Sequence, residues 1–177
     1  KDARRKLLIL YKKATNMTER LAAMRALTMH GKCPERDEAL ADFETNWKHN
    51  PIVMDKWFAV QAGQGTAETV AELAAHPDFD LKNPNRVRSV VGVFSTANLS
   101  AFHAPDGSGY RAVEDIILKA DAANPALAAR LITAFEQWRM LEPKAGAAAQ
   151  ETLKRLQEAK LSPNSADIVG RALGQGS

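Results

Sequence analysis

Three times in this 177-residue sequence an Asn-Pro pair stands just before apolar residues at helical spacing, at Asn50-Pro51, Asn83-Pro84 and Asn124-Pro125. Asparagine caps the free N–H groups of a first turn, and proline at the first helical position gives up no hydrogen bond. Val53, Met54, Trp57, Phe58 and Val60 follow the first pair, and Val87, Val90, Val91 and Phe94 follow the second. Leu127, Leu131, Phe135 and Trp138 follow the third. Recurrence at i, i+3, i+4 and i+7 marks one face of a helix. No segment shows the strict alternation of a half-buried strand. The Val-rich run at 87–94 comes nearest to a strand, but its Asn-Pro opening and helical spacing argue against one. The chain therefore reads as all-α.

The Asn-Pro starts are 33 and 41 residues apart. That is the span of a two-helix unit in tetratricopeptide or HEAT-like arrays. The pattern predicts a superhelix of antiparallel helix pairs, HEAT/armadillo-like, with about ten short helices; an irregular helical bundle stays open on sequence alone. The first helix covers Lys1 to Lys13, with Ala3, Leu7, Leu10 and Tyr11 on one face. Asn16 and Glu19 stand in capping-box spacing before Leu21, Met24 and Leu27. Pro34 opens a helix with Leu40, Phe43 and Trp47 as its stripe, and Thr66 caps a short one ending near His76-Pro77. The helix after Asn83 runs to about Ala97, and a short turn covers Asn98 to Phe102. DGSGY, Asp106 to Tyr110, is a tight turn whose Ser108 caps the next helix. Asn124 then opens one long helix through Trp138. Two more cover about Gly146 to Ala159 and Ser162 to Leu173, before a frayed tail. The aromatic residues fall on these stripes and read as core.

Chemical signatures are sparse. No apolar run reaches the ~20 residues of a membrane-spanning helix. The single cysteine, Cys33, excludes an internal disulfide and fits a reducing compartment. HExxH, CxxC and GxSxG are all missing. His30 and Cys33 lie in a loop and read as a surface imidazole beside a buried thiol. His49, His76 and His103 sit at helix ends and read as caps or surface groups. No catalytic and no metal-ligating residue is assigned. The formal charge is +3, with Lys1, Arg4, Arg5, Lys6, Lys12 and Lys13 clustered on the first helix. Such a run is usually a solvated face, or else it docks on an acidic neighbour or nucleic acid.

Two arginines fit their surroundings poorly. Arg86 and Arg88 lie in and just past a helical first turn, where the backbone dipole favours anions. They flank the valine stripe, and Arg130 is likewise next to Leu131. On residues alone, a salt bridge to a nearby Asp or Glu is the favoured reading. The other reading is an anion that arrives from outside.

NPIVMDKWF (Asn50 to Phe58), NPNRVRS (Asn83 to Ser89) and FHAPDGSGY (Phe102 to Tyr110) occur in this order. With TERLAAMRAL (Thr18 to Leu27) and NPALAARLI (Asn124 to Ile132), the chain resembles the C-terminal domain of bacterial alanyl aminopeptidases, the aminopeptidase N type of zinc metallopeptidase. The resemblance spans nearly the whole chain and rests on the combination of motifs. It implies an all-helical domain, residues 1–177, cut from a larger multidomain enzyme; the start at Lys1, inside a helix, agrees. It also implies that zinc belongs to the parent's catalytic domain, with no cofactor on this chain. The partners would be the catalytic and N-terminal domains of the same polypeptide and short peptide substrates, in the cytoplasm, with no membrane or nucleic acid. By this resemblance Arg88 and Arg130 face the active-site chamber and bind substrate. A stand-alone helical-repeat interaction module and a weak nucleic-acid binder are the alternatives.

Overall fold

The computed structural model describes residues 2–174, so Lys1 and the residues 175–177 of the expected tail lie outside it. Every regular element among the described residues is helical. The α-helical segments are α1 (Asp2–Lys13), α2 (Met17–Thr28), α3 (Pro34–Trp47), α4 (Pro51–Ala62), α5 (Ala67–Ala74) and α6 (Pro84–Val87). They continue with α7 (Val93–Ala97), α8 (Leu99–Phe102), α9 (Ser108–Ala123), α10 (Pro125–Ile132), α11 (Pro143–Glu158) and α12 (Pro163–Leu173). A π-helical turn, Arg88–Gly92, joins α6 to α7 in one rod.

The Asn-Pro starts are built as expected. Asn50 Oδ1 accepts from the Val53 N–H at 3.3 Å, Asn83 Oδ1 from Asn85 and Arg86 at 3.0 and 3.3 Å, and Asn124 Oδ1 from Leu127 at 3.1 Å. Each cap contributes about 1 kcal/mol. Asn16 accepts from the Glu19 N–H at 3.0 Å, but Glu19 returns its carboxylate to the Thr15 N–H at 3.1 Å, so that box is half closed. Packing follows chain order. α1 lies on α2 and α3, α3 on α4, α4 on α5 and the rod, α9 on α10 and α11, and both of these on α12. The contact of α5 with α9 bridges the middle. One continuous core runs from Tyr11 and Met24 to Leu153 and Val169.

Several expectations need correcting. The stripe in the rod is right, since Val87, Val90, Val91 and Phe94 are fully buried, but the rod is not a regular α-helix. It packs against both α4 and α5, and the wider π turn lets three consecutive residues, Ser89, Val90 and Val91, face inward. The helix after Asn124 stops at Ile132 and gives way to 3-10 turns at Thr133–Phe135 and Trp138–Met140. Two targets pull it apart. Phe135 joins Phe102 and Tyr110, with ring centroids at 5.6 and 5.5 Å, whereas Trp138 Nε1 donates to the Ala172 carbonyl at 3.0 Å. Trp138 and Trp47 are only half-buried.

Ser108 does not cap α9. Asp106 Oδ1 accepts the Ser108 N–H at 2.9 Å, and Gly107 takes the left-handed conformation at φ 71°. Gly109 is required for a different reason. A Cβ there would stand 2.4 Å from the Ala101 carbonyl oxygen and 2.5 Å from that of Phe102. On α1 the four-residue face also divides. Tyr11 is fully buried, but Leu10 is 59% exposed and Ala3 is exposed too.

Candidate functional site

The two misfit arginines part ways in the fold. Arg86 is buried, and its guanidinium is fully engaged. Nε donates to Asp55 Oδ1 at 2.6 Å, one terminal nitrogen to the Pro51 carbonyl at 3.3 Å and the other to the Asp78 carbonyl. Its plane lies 4.4 Å over the Phe58 ring centroid. Asp55 and Phe58 both come from NPIVMDKWF, and Arg86 from NPNRVRS. Two of the motifs that carry the resemblance are therefore halves of one buried contact. Here the salt-bridge reading is correct, and its signal was present in the sequence as the lone acid inside an apolar stripe.

His76 tightens the same knot, which corrects its reading as a cap or surface group. The ring packs 5.2 Å from Trp57 and 5.3 Å from Phe58. Its Nδ1 accepts from the Asp78 N–H at 3.1 Å, and its Nε2 lies 3.2 Å from Glu44 Oε1. Potential ligand atoms of Glu44, His76 and Asp78 fall within 4.8 Å of one another. Yet Nδ1 is already an acceptor, so the ring proton sits on Nε2 and points at Glu44. No ring lone pair is left for a cation. The donor set does not fit zinc.

Arg88, two residues on, is exposed. Its Nε donates to the Pro84 carbonyl at 3.1 Å and its NH2 to Asn85 Oδ1 at 2.8 Å. Both acceptors are neutral, so they orient the guanidinium without cancelling its charge. Arg130 is exposed on the last turn of α10, where a cation suits the helix dipole. Among the described residues neither arginine makes an ion pair. They stand on separate elements: the π turn packs on α4, α5, α6 and α7, and α10 on α9 and α12. The sequence reading missed Asn85, which lies one turn before Arg88 and holds it.

The remaining buried polar groups knit the second half together. Arg155 clasps Glu114 with contacts of 2.9, 3.1 and 2.7 Å. Asp121 accepts from the Ser162 N–H, the Ser162 hydroxyl and the Ser165 hydroxyl at 2.6, 2.7 and 2.5 Å, and so caps α12 from α9. Burial pushes the Asp121 carboxyl upward, but these three bonds outweigh it and hold its pKa below the ordinary value. His103 Nδ1 lies 2.7 Å from the Tyr110 hydroxyl. Burial lowers the His103 pKa and pushes the Tyr110 hydroxyl up to about 12, so burial favours the neutral form of both partners in this hydrogen bond. His103 is thus a packing group inside FHAPDGSGY. Cys33 is buried and His30 exposed, as expected.

Comparison with known proteins adds an independent line. The family model described as "Domain of unknown function (DUF3458_C) ARM repeats" matches residues 1–174. Aminopeptidase N of Caulobacter vibrioides is 39% identical over 165 residues, which cover 91% of this chain and 19% of that protein. Aminopeptidase N of Haemophilus influenzae is 42% identical over 149 residues, covering 82% and 17%. Among solved structures, Legionella pneumophila aminopeptidase A in complex with aspartic acid matches with a TM-score of 0.90 at 32% identity. That match covers 99% of this chain and 21% of the other. The chain thus spans about a fifth of the length of these relatives.

Proposed function

The chain belongs to the DUF3458_C family of ARM-repeat domains, the C-terminal helical domain of aminopeptidase N-type enzymes, and we propose that it is the non-catalytic part of a zinc aminopeptidase. In this reading residues 1–177 are one domain of a larger cytoplasmic polypeptide that removes N-terminal residues from short peptides. The catalytic and N-terminal domains of that polypeptide are its partners. In this reading zinc would be held by the catalytic domain, not by this chain, and when bound would supply the activation of water for peptide hydrolysis. This chain encloses the active-site chamber, limits which peptides enter, and presents Arg88 and Arg130 to the substrate.

The observation that carries this reading is the setting of Arg88. A solvated arginine normally finds a carboxylate or moves freely. Arg88 is instead oriented by Pro84 and Asn85 and keeps its charge. Such a fork suits the terminal carboxylate or a carbonyl of a peptide. Arg130 adds positive potential. In a closed chamber with little water both contacts gain strength, and a hydrogen bond to a charged group contributes about 1.5–3 kcal/mol.

The test uses the whole enzyme. Arg88→Ala and Arg130→Ala should raise KM for tri- and tetrapeptides about 10-fold or more, with kcat changing less. A chromogenic amino-acid amide, which has no terminal carboxylate, should keep its KM. Unchanged peptide KM in both variants would sink the arginine assignment.

A further inference from the structure

α3 opens with a charge out of place. Its first turn holds Glu35, Arg36 and Asp37. The two acids suit the positive end of the backbone dipole, and the arginine does not. Yet the Arg36 side chain is only 18% exposed. Its Nε and NH2 donate to Asp37 Oδ1 at 2.9 and 2.6 Å. Its other terminal nitrogen, NH1, meets no acceptor among the described residues. A guanidinium drawn out of water needs acceptors for all its donors, and here the set is incomplete.

Arg36 lines a cavity of about 240 Å³ between the α2–α3 turn and the α4–α5 turn. Other polar groups in that lining are also left over. Gln61 Nε2 donates to the Trp57 carbonyl at 3.3 Å, which leaves its side-chain carbonyl open. The Thr66 and Thr69 hydroxyls each accept the other's backbone N–H, at 3.4 and 3.2 Å, and keep their own protons to donate. The Glu68 side chain makes no hydrogen bond or ion pair among the described residues. Both sides of the cavity are tied in place. Lys32 Nζ reaches from the α2–α3 turn to Glu72 on α5 at 2.9 Å. Asn98 Nδ2 holds the α4–α5 turn through the carbonyls of Ala62 and Gly65, at 3.1 and 2.7 Å. A preformed pocket with a few convergent polar groups is the ordinary form of a small-molecule site.

We propose that this cavity binds one free α-amino acid, its carboxylate on the Arg36 guanidinium and its ammonium on Glu68. A planar fork of donors matches a carboxylate. An ammonium needs acceptors, and Glu68 and the Gln61 carbonyl supply them. An inorganic anion would use Arg36 but meet repulsion from Glu68; a zwitterion uses both. Size agrees, since the cavity falls below the ~300–1,000 Å³ of drug-sized sites. Binding follows from these residues alone, whereas the supply of ligand rests on the proposed aminopeptidase reaction, which releases one amino acid per cleavage.

The experiment uses the whole polypeptide. Equilibrium dialysis with carbon-14-labelled glycine, L-alanine, L-leucine, L-glutamate and L-lysine, one at a time, compares the native protein with Glu68→Gln and Arg36→Gln. An amino acid held elsewhere in the polypeptide is common to all three and cancels. Both variants should weaken the binding of at least one probe about 10-fold or more. Glu68 is exposed, so Glu68→Gln decides the matter if Arg36→Gln does not fold. Equal binding of every probe by the native protein and Glu68→Gln overturns the proposal. Propionate and ethylamine, each carrying one of the two charges, should displace the bound probe at least about 10-fold less well than L-alanine. Displacement by propionate as strong as by L-alanine makes this a plain anion site and also overturns it. Neither readout involves peptidase activity, so failure here is distinct from an unchanged KM in the Arg88 variant.

Discussion

Arg86 and Arg88 leave the same turn of helix on opposite sides and do opposite things. On the Arg86 side the guanidinium is buried, stacked on Phe58, and its donors are taken up by Asp55 and two carbonyls. On the Arg88 side it is exposed and touched only by neutral oxygens. An arginine can be removed from water only when a full set of acceptors replaces the solvent. Where the acceptors are few and uncharged, its charge stays available to something else. The same contrast separates Asp121 and Glu114, fully engaged by partners, from Arg130, which has none among the described residues.

The contrast is tested most severely at Asp55. Asp55→Ala should cost about 3–5 kcal/mol, because it strands a buried guanidinium; chemical denaturation measures it. A cost below about 1 kcal/mol would mean that Arg86 is no more embedded than Arg88. Asp121→Ala should cost about 2–3 kcal/mol, since it leaves two serine hydroxyls and the first turn of α12 without their acceptor. Acid should have a related effect. The Asp121 pKa is depressed in the fold, so its contribution is complete above the ordinary aspartate value near 3.8 and is lost as pH falls through the lower folded value.

A smaller effect is expected at His103, whose pKa is lowered by burial. Below about 6.5 the unfolded chain takes up a proton that the folded imidazole resists. Stability should therefore fall between pH 7 and 5, and His103→Gln should flatten that slope in a series of thermal melts. The smallest change in stability belongs to Arg88→Ala, within about 0.5 kcal/mol. Asn85→Ala should be equally mild, yet in the whole enzyme it should reproduce part of the peptide KM increase by releasing Arg88. A stability loss at Arg88 comparable to that of Asp55→Ala would erase the distinction between the two sides of the rod.

Helix identity was legible because it depends on local chemistry. Asn50, Asn83, Asn124 and the prolines after them announce their helix starts in two letters, and the valine stripe declares the buried face of the rod. What local chemistry cannot report is competition between distant neighbours. The break after Ile132 depends on Phe135 and Trp138 being claimed by different partners, and the π turn depends on α4 and α5 both pressing on the rod. The stripe on α1 was visible, but not that Tyr11 is buried while Leu10 and Ala3 stay exposed, because a helical period does not say how far around the helix its neighbours reach.

By itself, the amino-acid sequence determined that this chain is helical, where most helices begin, and, through its motifs, which family it resembles. Only the tertiary structure decided which arginine is held inside and which is left charged at the surface. The physical reason is that two residues on one helix differ by an angle around its axis, and what lies at each angle is supplied by residues about thirty positions away, such as Asp55 for Arg86.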